Sequence, residues 1–484
     1  MTTATQPDRS RWIALYVLCL GELMILLDAT IVNVALPSIR QSLGFSQSDL
    51  AWVVNGYLIA FGGLLLLAGR LGDMVGKRGV FLTGLAIFTC ASMLCAVAQS
   101  QLLLVAGRFA QGVGGALTSA VILGMIVNMF PEPREQAKAI GVYGFVTATG
   151  GSAGLIAGGA LTAALNWRWV FIINLPIGIV TALLCLRHVR PGGHIGLRQG
   201  ADLPGAAMLT VGLMGVVYAI LQVATWGWAS ANTLVPGVLG VVLVAAFVLR
   251  QTRTAVPLIP LRLFRSRHVT VANVLQLLMV AGMFGVFFFG ALYLQQVLGF
   301  GPLQVGMAFL PAAFTMGLTA LRFSGPFLLR FGVRATLLVS LSVVALCLVV
   351  FARTPADGSY ATDVLPGMIL FGLGGGLAFP ALMTLAMSGV APDESGVASG
   401  LLGTTYQVGG AVGLAVLTTV STSRTNDMAA AGEREAVALT SGYHLAYLVA
   451  AALVVAALLV AAIALPRSDS PEEQPADPAE AGTH

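Results

Sequence analysis

Charged residues are scarce in this sequence. Asp, Glu, Lys and Arg make up 9% of the 484 residues, whereas a typical soluble domain carries about 25%. Hydrophobic residues make up 57%, and the mean hydropathy is +0.90. No soluble fold could cover so apolar a core with so few charges, which excludes soluble enzymes and nucleic-acid-binding proteins. The composition predicts an integral membrane protein with many spans.

Cysteine and histidine are also few, with five of each. The cysteines lack the CxxC or Cys/His spacing of a metal site, and all lie inside apolar runs: Cys19, Cys90, Cys95, Cys185 and Cys347. We expect buried small side chains, no disulfide, no metal and no cofactor. A membrane enzyme is disfavoured because the histidines are scattered and no nucleophile is paired with a base.

Long apolar runs predict the membrane spans, since a helix needs roughly 20 apolar residues to cross the hydrocarbon core. Fourteen runs qualify: 12–36, 50–69, 79–98, 102–125, 137–162, 168–186, 203–223, 233–250, 269–294, 302–322, 335–351, 364–388, 396–420 and 442–465. The polar outer segment near 421–441 is expected to be the longest loop on its face, with room for a short amphipathic helix. The tail 466–484, rich in Pro, Ala and acid, is expected to be disordered.

The distribution of basic residues predicts the orientation. With the N-terminus inside, 19 of the 25 lysines and arginines fall in inner loops or at the inner ends of spans, and only Arg108 lies well inside a span. This bias follows the positive-inside rule. Both termini are therefore expected in the cytoplasm, with the chain in the cell membrane.

An internal repeat predicts two related halves. The segment Gly69–Arg78 after the second span aligns without gaps with Gly325–Arg334 after the tenth, although Leu329 replaces Asp73. Parallel repeats of this kind are typical of transporters built from two helical bundles. We expect a first six-helix bundle at 1–187, two extra spans at 188–260, a second six-helix bundle at 261–465 and the tail at 466–484.

Four motifs in order carry a family resemblance. In chain order they are LDATIVNVALP at 27–37, GRLGDMVGKR at 69–78, RFAQG at 108–112 and WRWVFIINLPIG at 167–178. Together they resemble the major facilitator superfamily, in its fourteen-span drug:proton antiporter branch. The resemblance implies a major-facilitator fold with 14 transmembrane helices, a small-molecule substrate, protons as coupling ions and function as a monomer.

A glycine stripe in the fifth span departs from the family pattern. Family exporters usually carry GPxxGG, but Leu155 here stands in the place of the proline. The expected helix-packing motif consists of Gly150, Gly154, Gly158 and Gly159. Glycines four apart line one helix face and allow close helix approach.

Three charged side chains lie well inside spans and are the candidates for proton coupling: Glu22, Asp28 and Arg108. An ionisable group at such depth is costly, and functional by default. Asp28 is expected to be the main coupling site, with a structural hydrogen bond as the alternative. Glu22 is either a second proton or cation site or a tolerated neutral acid. The resemblance implies coupling for Arg108, which could instead orient its helix through backbone carbonyls.

The first inner loop suggests a conformational latch that closes the cytoplasmic side. Its members are Gly69, Arg70, Gly72, Asp73, Gly76, Lys77 and Arg78. The two inner glycines, Gly72 and Gly76, permit tight turns, Asp73 can meet a helix N-terminus or an arginine, and the basic residues can contact the other bundle or anionic lipid headgroups. The alternative is a topology signal alone.

Polar and aromatic residues within the spans are weaker candidates for a substrate cavity: Asn33, Asn55, Tyr57, Gln111, Tyr143, Asn273, Gln276, Tyr406 and Gln407. Taken singly, each is more often structural. The leading functional prediction is proton-driven efflux of amphipathic or cationic compounds such as drugs and antibiotics. The alternatives are a dedicated exporter of one endogenous metabolite and a non-transporting membrane sensor.

Overall fold

Apolar runs separated by short polar segments produce helices along nearly the whole chain. The computed structural model describes residues 8–191, 201–254, 257–388, 390 and 395–466. In this part the secondary structure is entirely helical. The predicted tail beyond Pro466 lies outside the described residues. So do residues 192–200, in the middle of the basic segment 187–202.

The α-helices are numbered in chain order. The first nine are α1 (Asp8–Leu43), α2 (Gln47–Val75), α3 (Lys77–Ala96), α4 (Gln101–Met129), α5 (Pro133–Ala164), α6 (Trp169–Ile172), α7 (Asn174–His188), α8 (Leu203–Trp226) and α9 (Ala231–Arg253). The others are α10 (Arg267–Leu292), α11 (Pro302–Ala308), α12 (Leu310–Leu318), α13 (Ser324–Phe351), α14 (Leu365–Met387), α15 (Ser395–Ala430) and α16 (Glu435–Ala464).

The described residues contain 12 helical stretches that are long and apolar enough to cross a membrane. One of them, Pro302–Phe351, has 50 residues and is interrupted at Gly332, where φ is 75° and ψ is 170°. The 32-residue helix α5 is not among the 12. The chain is an all-helical, multi-span protein, and the number of fourteen crossings stays a prediction.

Two local expectations were wrong. The outer segment near 421–441 is mostly helix, since α15 runs to Ala430 and α16 begins at Glu435. No proline interrupts residues 421–430, and α15 ends just before Gly432, whose φ is +82°. Cys90 is exposed on its helix rather than buried, while all five cysteines are free thiols.

The aligned repeat has the same geometry in both halves. Gly76, between α2 and α3, has φ of +101°, and the aligned Gly332 has φ of +75°. Both values lie in the region that favours glycine. Arg78 Nη2 donates to the carbonyl oxygen of Leu186 at 2.8 Å, and the aligned Arg334 Nη2 donates to that of Ala462 at 2.9 Å.

The two extra helices lie beside the boundary between α2 and α15. Gly63 of α2 closely approaches Thr210 of α8. On the other side, Thr419 Oγ1 of α15 donates to the Ile220 carbonyl oxygen of α8 at 2.7 Å. Helix α8 therefore contacts a helix from each predicted bundle.

Asp202 joins the two helices of this pair at one end. It is the N-cap of α8, and its Oδ1 accepts from the Gly205 backbone N–H at 2.9 Å. The same carboxylate accepts from Arg250 Nε at 2.6 Å and from Gln251 Nε2 at 2.9 Å, both on α9. Gln251 Oε1 in turn accepts the backbone N–H of Leu258 at 2.7 Å. The start of α8, the end of α9 and the following linker are thus joined.

Candidate functional site

Asp28 lies at the centre of a buried polar network in the first half of the chain. Its exposure is 0%, and its carboxylate accepts hydrogen bonds from two other helices. Oδ2 accepts from Arg108 Nη1, which makes a buried ion pair. Oδ1 accepts from Gln111 Nε2 at 3.0 Å and from Asn174 Nδ2 at 2.8 Å. A charge that would be costly in the membrane is therefore matched by donors from α4 and α7.

Arg108 is held from several directions. Its Nε donates to the Val53 carbonyl oxygen of α2 at 2.9 Å, and its Nη1 also donates to Gln111 Oε1 at 2.9 Å. Its Cζ lies 4.5 Å from the centre of the Tyr57 ring, an arrangement that favours a cation. The spacing of Arg108 and Gln111 in RFAQG places both side chains on one face of α4.

Ser92 connects the two amides that contact Asp28. Its Oγ accepts from Gln111 Nε2 at 2.7 Å and from Asn174 Nδ2 at 3.2 Å. Cys95, one turn further along α3, places its Sγ 3.5 Å from Gln111 Oε1. The network therefore includes side chains of α1, α3, α4 and α7, all within the first predicted bundle.

Glu22 occupies a separate polar site on α1. It is 5% exposed. Ser119 Oγ of α4 donates to its Oε2 at 2.5 Å, and the Tyr143 hydroxyl of α5 also forms a hydrogen bond with this carboxyl group. Glu22 and Asp28 therefore have different partners, as expected for side chains that point in different directions around one helix.

The predicted latch residues make their described polar contacts within the first bundle. Asp73 Oδ1 lies 3.4 Å from Lys77 Nζ, so its partner is a lysine rather than an arginine or a helix N-terminus. Gly76 forms the expected turn. Gly72 was expected to form a turn as well, but it lies inside α2 and packs closely against Val121 of α4. Its small size serves packing there. Gly69 and Arg70 lie in the last two turns of α2.

The glycine stripe of α5 faces α1. A Cβ placed on Gly158 would lie 2.6 Å from the Ile31 carbonyl oxygen, and one on Gly150 would lie 3.1 Å from Leu26 Cβ. Gly154 packs closely against Thr30. Gly159 points elsewhere, and a Cβ there would lie 2.6 Å from the Pro302 carbonyl oxygen of α11. The stripe thus packs one bundle, and its last member touches the second.

The predicted cavity residues do not form one cluster. Gln111 and Tyr57 belong to the Asp28 network, and Tyr143 belongs to the Glu22 site. Asn33 Nδ2 donates to carbonyl oxygens of its own helix. Asn55 is fully buried, and its amide has no hydrogen-bond partner in the part of the chain that the structure describes.

The remaining cavity candidates lie in the second half. Asn273 Oδ1 accepts from Thr405 Oγ1 at 2.7 Å, and the Tyr406 ring lies 5.7 Å from that of Phe284. Gln276 is 5% exposed. Gln407 lies at the boundary with α2, where its Cβ would be 2.7 Å from a Cβ on Gly62.

Sequence reasoning missed three members of these sites. Asn174 was visible within the INLPIG segment, but only as part of a family signature. Ser92 and Ser119 carried no signal, because isolated serines are common in apolar helices and their partners are distant in the chain. Contacts across 146 residues, such as that between Asn174 and Asp28, depend on how the helices are rotated.

Comparison with known proteins identifies relatives over most of the chain. The puromycin resistance protein of Streptomyces alboniger is 37% identical over 421 residues, which cover 87% of this chain and 83% of that protein. The cephamycin export protein of Amycolatopsis lactamdurans is 38% identical over 88% of each chain. The multidrug resistance protein Stp of Mycobacterium tuberculosis is 32% identical over 85% of this chain and 76% of its own.

Solved structures share the fold at low sequence identity. A bacterial homologue of the human lysosomal transporter Spinster, in an inward-facing state, has a TM-score of 0.66 at 17% identity and covers 95% of this chain and 98% of its own. The POT family transporter PepTSo has a TM-score of 0.68 at 14% identity, over 94% of this chain and 99% of that one. The sequence model for the Major Facilitator Superfamily matches residues 18–414. This chain is a transporter, not an enzyme, and belongs to the Major Facilitator Superfamily.

Proposed function

We propose that this chain exports amphipathic or cationic organic compounds, including drugs and antibiotics, in exchange for protons. The observation that carries the proposal is the buried ion pair of Asp28 and Arg108. Ionisable side chains inside membrane spans are costly and therefore rare, and where they occur they usually serve a function. The names of the relatives, which include antibiotic resistance and export proteins, support small organic molecules as the substrates.

The geometry favours competition between a proton and Arg108 for Asp28. Arg108 contacts Oδ2 of the carboxylate, so protonation of Asp28 removes the charge that holds this arginine. Arg108 keeps the Val53 carbonyl oxygen and the Tyr57 ring as partners. Protonation therefore loosens the link between α1 and α4 without leaving the arginine isolated. In alternating access, such a change would favour one orientation of the bundles.

Glu22 is proposed as the second coupling or cation site. It has no arginine or lysine among its described hydrogen-bond partners, which are Ser119 and Tyr143. A carboxylate with hydroxyl partners can exchange them for a cationic substrate. Asp28 cannot bind a cationic substrate in this way in the present conformation, because its carboxylate is already paired with Arg108.

The experiment compares Asp28→Asn with Glu22→Gln in proteoliposomes with an imposed pH gradient. We expect Asp28→Asn to lose uphill transport, falling to the rate of protein-free vesicles, while downhill substrate exchange persists. Glu22→Gln should lower transport mainly of cationic substrates. If Asp28→Asn still builds a proton-dependent gradient and Glu22→Gln does not, the two roles are reversed.

We further propose fourteen spans in a monomer of the cell membrane, with both termini in the cytoplasm. The six-helix bundles at 1–187 and 261–465 would rock about the substrate, with 188–260 as the extra pair and the loop Gly69–Arg78 as the latch. The bundles touch on the predicted outer side, where Gln295 Nε2 donates to the Val34 carbonyl oxygen at 2.9 Å. They also touch near the predicted inner ends of α2 and α15, where a Cβ on Gly400 would lie 3.1 Å from Leu66 Cδ2.

Cysteine-accessibility labelling tests the topology. Single cysteines in the tail and in the loop 227–230, between α8 and α9, should be labelled from opposite sides of the membrane. Labelling of both from the same side would rule out this arrangement.

A dedicated exporter of one compound is the second candidate. The relative at 38% identity that is named for cephamycin export supports it. A panel of chemically unrelated compounds in the same proteoliposomes separates the two candidates, because a multidrug exporter moves several and a dedicated exporter moves one.

A further inference from the structure

We infer that Asn174 is a positioning residue for proton coupling, since it holds Asp28 in its ionised form. The inference rests on the proposed role of Asp28. Asn174 is fully buried at the start of α7, and its Nδ2 donates to Asp28 Oδ1 at 2.8 Å. A donor to the charged form of an acid favours that form.

Asn174 differs from the other two donors to Asp28. Arg108 and Gln111 both lie on α4 and are bound to each other. Asn174 lies on α7 and contacts neither of them through a described hydrogen bond. It therefore makes the stability of ionised Asp28 depend on the position of a third helix.

The orientation of the Asn174 amide follows from its partners. The ionised Asp28 carboxylate can only accept, so in that state the amide nitrogen faces it. Ser92 Oγ is the second partner of that nitrogen, at 3.2 Å. The amide oxygen of Asn174 is buried and has no hydrogen-bond partner among the described residues. Asp28 and Ser92 are thus the side chains that fix this amide.

In the part of the chain that the structure describes, few other ionisable groups act on Asp28. The ones that face it are Arg108 of α4, Tyr57 of α2 and Cys95 of α3. Glu22 lies on its own helix with separate partners. Among the described residues Arg108 is the one cation in contact with Asp28. Removal of the neutral donor Asn174 should therefore measurably shift the equilibrium between protonated and ionised Asp28, because no second positive charge compensates for its loss.

Infrared titration of the reconstituted protein measures the protonated fraction of Asp28 directly and needs no substrate. The C=O stretch of protonated Asp28 is identified as the band that disappears in Asp28→Asn. In Asn174→Leu the midpoint of that band should move to higher pH by about one unit, a tenfold gain in proton affinity, because one donor to the carboxylate is lost. Asn174→Ala should shift it the same way, which guards against an effect of leucine packing.

The matched variants are Ser92→Ala and Cys90→Ala. Ser92→Ala removes the second partner of the Asn174 amide and should give a smaller shift in the same direction. Cys90 lies two residues earlier on α3 and is exposed. Cys90→Ala should leave the midpoint unchanged.

The outcomes separate the two proposals. An unmoved midpoint, or one that moves to lower pH, in Asn174 variants with normal thermal unfolding overturns this inference alone. If Asp28→Asn removes no carboxyl band, Asp28 does not titrate, and the proposed function falls together with this inference.

Discussion

Arg78 and Arg334 make the same contact in the two halves of the molecule. Each donates from Nη2 to a backbone carbonyl oxygen near the end of a later helix, Leu186 of α7 for the first and Ala462 of α16 for the second. The acceptors are last-turn carbonyls, which lack partners within their own helices. The pair of arginines thus caps equivalent helix ends within each half, rather than joining the halves.

This relationship predicts parallel losses of stability. A hydrogen bond from a charged donor is worth about 1.5–3 kcal/mol. Arg78→Gln and Arg334→Gln should therefore both lower the thermal unfolding temperature in detergent, by similar amounts.

Asp73→Asn is the contrasting variant. Its exposed contact with Lys77 is worth about 0–1 kcal/mol, so folding should be kept while the proposed latch loses transport. Full transport in Asp73→Asn would reduce that residue to part of a topology signal.

The Asp28–Arg108 pair predicts a compensating double variant. Arg108→Ala leaves a buried carboxylate without its cation, a loss of about 3–5 kcal/mol. The added change Asp28→Asn removes that charge and should recover much of the stability while proton-driven uphill transport stays absent. Thermal unfolding of both single variants and the double variant measures the coupling energy. Additive losses would show that the ion pair does not stabilise the fold.

The glycine stripe predicts sensitivity to one methyl group. Gly158→Ala places a Cβ 2.6 Å from the Ile31 carbonyl oxygen, so α1 and α5 must move apart. We expect reduced transport and a lower unfolding temperature. Gly317→Ala in α12 is the matched control, because a Cβ there meets no atom within 4 Å. Equal behaviour of the two variants would exclude close α1–α5 packing as a requirement.

Asp202 predicts a dependence of stability on pH. Burial opposes its ionisation, but hydrogen bonds from Arg250, the Gly205 backbone and Gln251 outweigh this effect, and its pKa lies below the usual value. A depressed pKa stabilises the fold above the unfolded value of about 3.9, and this contribution is lost as pH falls through the folded pKa. Asp202→Asn keeps a helix cap but loses the charge.

The unfolding temperature should therefore separate wild type from Asp202→Asn at pH 7 and converge below about pH 4. Asp202→Ala, which also loses the cap, should stay lower by about 1 kcal/mol at every pH. A gap between wild type and Asp202→Asn that persists in acid would contradict the assignment.

The sequence predicted the identity of the coupling candidates better than their connections. Asp28 and Arg108 stood out because charges inside apolar runs are rare, and the motifs around them gave their setting. Their pairing was not predictable, since the two residues lie 80 positions apart and meet only through the rotation of α1 against α4. Asn174 lay in a recognised motif, but its partner could not be read from spacing.

Helix ends show a similar division. Gly76 and Gly332 were aligned from the sequence, and both have the positive φ that a tight turn needs. The extension of α15 to Ala430 was missed because a polar composition resembles a loop once the helix has left the apolar region. The composition of a segment indicates whether it lies in the membrane, whereas backbone hydrogen bonding determines where its helix ends.

The position of α8 makes the two flanks of the transporter unequal. On one flank, α8 contacts α2 through Thr210 and α15 through Ile220, and α9 presents Val238 and Val242 outward. Acyl chains on that flank meet the extra pair before they meet the joint between the bundles. On the flank of α5 and α11, no such pair intervenes among the described helices. The added helices therefore cover the contact between α2 and α15 on one side of the molecule only.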